Sequence, residues 1–154
     1  MSIKAIETEY KGYKFRSRLE ARWAVFFDAM DWAWEYEPEG YKMEYMGEII
    51  HYLPDFWLPD RKAFVEVKGG ALNAEDRRKV EALAFTSDYG VFVLGSVPDN
   101  ATDWWDVCTK DLSDEEDELR AGWGNFDAGY ERRELYLDAL KAARQARFEH
   151  GEKG

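Results

Sequence analysis

Tyr52-Leu53-Pro54-Asp55-Phe56-Trp57-Leu58-Pro59 is followed, after Asp60-Arg61-Lys62, by Ala63-Phe64-Val65-Glu66-Val67-Lys68-Gly69-Gly70. Aromatic and β-branched residues fill both arms, and Pro, Asp and Gly bound them, so the stretch reads as two strands joined by a tight turn. A hairpin centred between Asp60 and Arg61 sets Asp55 opposite Glu66, with Cβ atoms about 4.5–5.5 Å apart. Two carboxylates that close repel, and a divalent cation with oxygen ligands is the natural compensation. Strand alternation puts Lys68 on the face of Glu66, about 7 Å further along, and turns Val65 and Val67 to the other face, into the core. A bound ion lowers the pKa of its water, and an ammonium beside it orients that water or offsets developing charge. Glu-x-Lys alone is ordinarily a solvated ion pair, and Pro-Asp alone an ordinary turn. Their combination across one turn, with a glycine pair and a basic helix behind it, carries the reading.

Working outward, residues 17–30 read as a helix. Leu19, Trp23, Phe26, Phe27 and Met30 form one apolar stripe, and Ser17 with Glu20 fits a capping box. Glu20 therefore has a complete structural role, yet it borders the stripe, where it can also serve as a third carboxylate. Residues 2–12 read as extended or irregular. A short strand is expected over 32–36, a Tyr-rich segment over 41–46 turning at Gly47, and a strand over 48–57 broken only by Pro54, at an edge or bulge. After a strand over 63–68, Asn73 caps a helix to about Phe85, with Asp76 at the capping-box position. Residues 89–97 read as a buried strand, 98–128 as acidic and turn-rich with one helical piece over 114–119, and 130–148 as a final helix with Tyr136, Leu140 and Ala143 inward. The expected class is α/β, a mixed sheet flanked by helices. Its organisation is a core over 1–98, an acidic Trp-containing connector over 99–128 and a C-terminal helix over 129–154, all in one domain.

Length agrees with one domain: 154 residues, 45% hydrophobic, is globular composition. The single Cys108 excludes an internal disulfide and suits a reducing compartment. No apolar run follows a basic start, and the longest apolar stretch is far short of the ~20 residues of a membrane span, so a cytoplasmic protein is expected. Cys108 has no evident His partner for thiol chemistry. His51 is about 13 Å along the strand from Asp55, too far to share its ion, and reads as structural or as a nucleic-acid contact. His150 belongs to a frayed tail, and Gly122-Trp123-Gly124 reads as a turn. Trp104 and Trp105 read as core plugs or a partner surface.

The net charge of −11 argues against a generic nucleic-acid coat, which needs positive potential. The charge is uneven, however. Residues 1–22 hold six basic and three acidic groups, and residues 61–80 hold six and three, whereas 28–60 and 99–120 each hold nine acids. Both basic segments adjoin the carboxylate motif. Lys14, Arg16, Arg18 and Arg22 in the first, with Arg77, Arg78 and Lys79 in the second, are assigned to phosphate positioning.

Phe15-Arg16-Ser17-Arg18-Leu19-Glu20, then Leu53-Pro54-Asp55, then Glu66-Val67-Lys68, then Asp76-Arg77-Arg78-Lys79 together resemble the PD-(D/E)-x-K nucleases, most of all the bacteriophage Holliday-junction-resolving endonucleases of the endonuclease I type. The resemblance covers roughly residues 10–97 and implies a restriction-endonuclease-like fold. It implies Asp55, Glu66, Glu20 and the Val67 backbone carbonyl as metal ligands, Lys68 as the catalytic lysine, and magnesium or manganese as the ion. It further implies hydrolysis of branched DNA during recombination, by a homodimer, in the host cytoplasm if phage-encoded. Residues 99–154 have no counterpart in that pattern, and the helix after Lys68 lacks the Gln-x-x-x-Tyr signature of the exonuclease-like relatives. The alternatives are an endonuclease that nicks or cuts linear DNA, and a non-catalytic acidic DNA mimic or binding module.

Overall fold

Paired apolar stripes and tight turns set the order of elements in the computed structural model, which describes residues 7–98, 104–112 and 120–148. A hairpin of β1 (Thr8–Tyr10) and β2 (Tyr13–Phe15) turns at Lys11-Gly12, both at positive φ. Helix α1 (Arg18–Ala29) follows, then β3 (Glu35–Tyr36), β4 (Tyr41–Tyr45) and β5 (Glu48–Tyr52). Next come β6 (Phe56–Leu58), β7 (Ala63–Val67), α2 (Ala74–Ser87) and β8 (Gly90–Leu94). The chain continues through β9 (Trp105–Thr109) and β10 (Gly122–Phe126) to α3 (Arg133–Gln145). The class is α/β, as expected. The contacts divide it into two compact units: β1, β2, α1 and α3 lie in the first, and strands β3 to β10 with α2 lie in the second.

The first unit forms because two amphipathic helices share aromatic stripes. Trp23, Phe26 and Phe27 of α1 are all but fully buried, as are Tyr136, Leu140 and Ala143 of α3. Phe26 meets Tyr136 edge-on with ring centroids 5.7 Å apart, a preferred aromatic geometry.

The second unit is built on a six-stranded mixed sheet in the order β10-β9-β8-β7-β6-β3. Strands β7 and β8 are parallel, with α2 as the crossover between them, and the other pairs are antiparallel. The β4–β5 hairpin forms a separate two-stranded ribbon around Met46-Gly47, both at positive φ. Val80, Leu83 and Ala84 of α2 pack with Met43, Tyr45, Ile50 and Tyr52 of the ribbon and with Phe64, Val91 and Cys108 of the sheet. Among the described residues no helix is long and apolar enough to cross a membrane.

Two expectations change. The strand over 48–57 is two strands in different sheets: β5 pairs only with β4, and β6 enters the main sheet. Pro54, with no N–H for a ladder, sits at the transfer point. The connector over 99–128 supplies β9 and β10, and Gly122-Trp123-Gly124 is strand rather than turn. Its high charge hid a short strand with core residues on both faces: Trp105 and Cys108 are buried while Asp106 is exposed. Trp105 is indeed a core plug, packed on Phe92 and Phe126, whereas Trp104 is exposed. The helical piece expected over 114–119 and the tail with His150 lie outside the described residues.

A candidate active site around Asp55, Glu66 and Lys68

The β6–β7 ladder pairs Phe56 with Val65, Trp57 with Phe64 and Leu58 with Ala63. That is the register of a hairpin centred between Asp60 and Arg61, and its next step sets Asp55 opposite Glu66. The ladder itself stops at Phe56, and there the Asp55 side chain takes over from the backbone. Its Oδ2 accepts the N–H of Val67 at 2.7 Å, while its backbone carbonyl accepts the N–H of Glu37 at 2.7 Å. Asp55 is thereby fixed to both neighbouring strands. A charge-assisted bond to backbone N–H is among the stronger kinds.

Glu66 is held from the other side. The hydroxyl of Tyr52, at the end of β5, donates to Glu66 Oε2. Burial pushes the Tyr52 phenol far above its ordinary value, and the Glu66 charge pushes it the same way, so the proton stays on the tyrosine. Alternation holds at Val65, which is fully buried, but Phe64 on the Glu66 face is buried too. The carboxylate therefore sits at the end of a core-covered face, not on an open one.

Lys68 follows the end of β7. Its N–H donates to the Leu94 carbonyl at 2.9 Å, and its Nζ lies 3.0 Å from Asp76 Oδ2. Asp76 occupies the first turn of α2, where its N–H donates to Asn73 Oδ1 at 2.7 Å. The Asp76 carboxylate raises the Lys68 pKa, with smaller contributions from Glu66 and Asp55, so Lys68 is an ammonium. Asp55, Glu66 and Lys68 thus converge where the β6–β7 hairpin meets the start of α2.

The donor chemistry fits a hard divalent cation: two carboxylates and the Val67 carbonyl are an all-oxygen set. The anchoring bonds engage Asp55 Oδ2 and Glu66 Oε2, and an ionised carboxylate offers about four acceptor sites. No group of three or more His, Cys, Asp or Glu side chains with metal-site spacing occurs among the described residues. Glu20 lies on α1 in the first unit, 5% exposed, and completes the expected cap there. Its N–H donates to Ser17 Oγ at 3.1 Å, and the Ser17 hydroxyl donates back to Glu20 Oε2 at 2.9 Å.

The basic groups divide likewise. Lys14 and Arg16 are exposed, and Arg18 and Arg22 half-buried, all in the first unit. On α2 each basic group faces an acid. Arg78 lies 2.5 Å from Glu48, Arg77 3.9 Å from Glu81, and Lys79 3.6 Å from Glu75. Arg77 also stacks over Trp123, its Cζ 4.9 Å from the ring centre. His51 is exposed on β5, opposite Lys42.

Two residues of the cluster escaped the sequence reading as site components. Tyr52 opens the motif itself, and the bend at Pro54 that brings its hydroxyl to Glu66 was its only signal. Asp76 reads as the first-turn residue capped by Asn73, which it is, and its second role follows from the Gly69-Gly70 link that lets α2 start beside Lys68.

Neither a family model, nor a curated protein, nor a solved structure matches this chain.

Proposed function

We propose that the protein is a metal-dependent deoxyribonuclease of the PD-(D/E)-x-K kind, an endonuclease that hydrolyses phosphodiester bonds in branched DNA. The observation that carries this reading is the β6–β7 register. Extended one step past the Phe56–Val65 pair, that register would set Asp55 across from Glu66, and Lys68 follows two residues later. Two adjacent acids beside a lysine, each held by its own hydrogen bond, are costly to keep for structure alone. Asp55, Glu66 and the Val67 carbonyl would hold Mg2+ or Mn2+. The ion, when bound, polarises the scissile phosphate and lowers the pKa of its water. Val67 N–H fixes one oxygen of Asp55, and Tyr52 fixes one oxygen of Glu66. Asp76 holds the Lys68 ammonium, whose positive charge suits the charge that builds on the phosphate in the transition state. A homodimer would bring two such sites to the two strands a four-way junction requires cut.

Cleavage with magnesium of a four-way junction, a nicked duplex and a linear duplex tests the proposal. Junction cleavage above duplex cleavage is the expected result, and calorimetric titration should show magnesium binding that Asp55→Asn removes. The pairing of Arg77, Arg78 and Lys79 with carboxylates, at a net charge of −11, favours a second reading as a non-catalytic acidic DNA mimic. Absence of both metal binding and cleavage would select it.

A further inference from the structure

Ladder pairing runs straight across the sheet from the carboxylate cluster. Glu66 pairs with Val93 of β8, Val93 with Asp106 of β9, and Asp106 with Asn125 of β10. Residues paired this way share a face, so Asp106 and Asn125 stand on the Glu66 side, two and three strands away, about 10 and 14 Å. Both are exposed, side by side, at the floor of a groove of about 550 Å³. Lys68 lines its other end, beside the loop that leads into α2. Arg77 is flattened onto Trp123, whose indole N–H donates to Glu81 Oε1 at 2.8 Å.

The groove is therefore polarised. Lys68 lies at the end nearest the carboxylate cluster. A carboxylate and an amide lie at the far end, and beside them the Arg77 guanidinium lies over Trp123, on the same strand as Asn125. A phosphate is attracted to the first end and repelled by Asp106 at the second. A planar base can stack on the Arg77 guanidinium, as single-stranded nucleotides do on arginine and aromatic platforms. Its edge then meets Asp106, which only accepts hydrogen bonds, and Asn125, which donates and accepts. Acceptors select exocyclic amines, which adenine, cytosine and guanine carry and thymine lacks.

Resting on the nuclease reading for its substrate class, we infer that this groove binds one unpaired nucleotide of the DNA. Its phosphate lies at Lys68, and an amine-bearing base stacks on Arg77 and is read by Asp106 and Asn125. Strands β9 and β10, the part of the chain with no counterpart in the resembled nucleases, would thus supply substrate selection.

The test is equilibrium titration of the full chain with the trideoxynucleotides dA3, dC3 and dT3 in EDTA, alongside magnesium-dependent cleavage of a four-way junction. Saturable binding of dA3 and dC3 about fivefold or more tighter than dT3 is expected. Asn125→Ala should weaken dA3 and dC3. Asp106→Asn, the same shape with a donor added, should narrow the gap by admitting dT3. Both positions are exposed, and circular dichroism verifies that each variant folds. Equal binding of all three trimers, no saturable binding, or variants indistinguishable from wild type would overturn the inference. Trimer selectivity without junction cleavage would remove the nuclease reading and leave the groove standing; cleavage without trimer selectivity would do the reverse.

Discussion

The Tyr52 hydroxyl donates to the Glu66 carboxylate, so the β4–β5 ribbon grips β7 at the residue that carries the candidate chemistry. Tyr52 is only 7% exposed, and hydrogen bonds to charged groups contribute about 1.5–3 kcal/mol. Tyr52→Phe keeps the ring and removes the bond. A stability loss of about that size is expected in urea denaturation without metal. The magnesium concentration for half-maximal cleavage should rise several-fold, because Glu66 loses its anchor. A denaturation midpoint identical to wild type would show that the bond carries no stabilisation.

For Asp55, charge and hydrogen bonding separate cleanly. Repulsion between facing carboxylates predicts that removing one should leave the metal-free protein as stable or more so. The Val67 N–H held at 2.7 Å opposes this, since truncation strands a partly buried donor at a cost of about 1–3 kcal/mol. Asp55→Ala is therefore expected to destabilise the metal-free protein. Asp55→Asn should stay within about 1 kcal/mol of wild type, its side-chain oxygen still accepting from Val67. Both should abolish cleavage. A stable Asp55→Ala protein would mean that relief of repulsion outweighs the lost bond.

Much of this was legible because local signals agreed with the tertiary outcome. Ser17 and Asn73 cap their helices as their side chains dictate, and the hairpin register follows from the turn at residues 59–62. Pairing between distant segments was not legible. Nothing within β5 says that it leaves the main sheet after Tyr52. Nothing in the acidic stretch around β9 announces a strand whose burial depends on β8 and β10. The Lys68–Asp76 pair escaped for the same reason: each residue has a sufficient local explanation, and only the chain path between them brings the charges together.

Asp76 positions Lys68 rather than reacting. Lys68→Ala is expected to lower turnover far more than magnesium affinity, because the ammonium is assigned to the transition state. Asp76→Asn leaves the lysine in place and loosens its hold. It should give a smaller loss, in kcat rather than KM, with binding of uncleaved DNA unchanged. Parallel loss of metal affinity and turnover in Lys68→Ala would return Lys68 to a ligand-organising role.

Cys108 makes stability depend on alkaline pH. It is fully buried, and burial, then the Glu81 charge, pushes its thiol up to about 12 against the opposing effect of Arg77. An unfolded thiol ionises from about pH 8.5–9. Below that pH both states are neutral and no penalty exists; above it only the unfolded state ionises, so stability falls until the folded thiol itself titrates near pH 12. The loss approaches about 1.4 kcal/mol per pH unit. Cys108→Ala subtracts a constant packing cost but abolishes this slope. The wild-type advantage over Cys108→Ala should therefore shrink by about 1.5–2 kcal/mol between pH 8 and pH 10 in urea denaturation. A constant difference would show that the folded thiol titrates normally.

Under the nuclease proposal, the paired arginines decide how so acidic a chain would hold DNA. Each phosphate contact on duplex DNA contributes about −0.9 to the slope of log affinity against log salt. The basic segments 11–22 and 61–79 hold eleven Lys and Arg residues, of which Lys68 is assigned to catalysis and others are expected to point away. Roughly four to six contacts, and a slope of about −4 to −5, are expected per protomer. Arg78 meets Glu48, and Arg77 meets Glu81, through side chains that are about half exposed on the arginine side. Such pairs are worth about 0–1 kcal/mol, so phosphate can displace the carboxylate at small cost. Glu48→Gln should then tighten DNA binding by up to about fivefold, by releasing Arg78 in advance. Charge reversal at Arg77 and Arg78 together should flatten the slope by one to two units, whereas reversal at Lys141 and Arg144 on α3 should change it little. A wild-type slope near zero would remove nucleic acid as the ligand altogether, and with it the assignment of these arginines to phosphate.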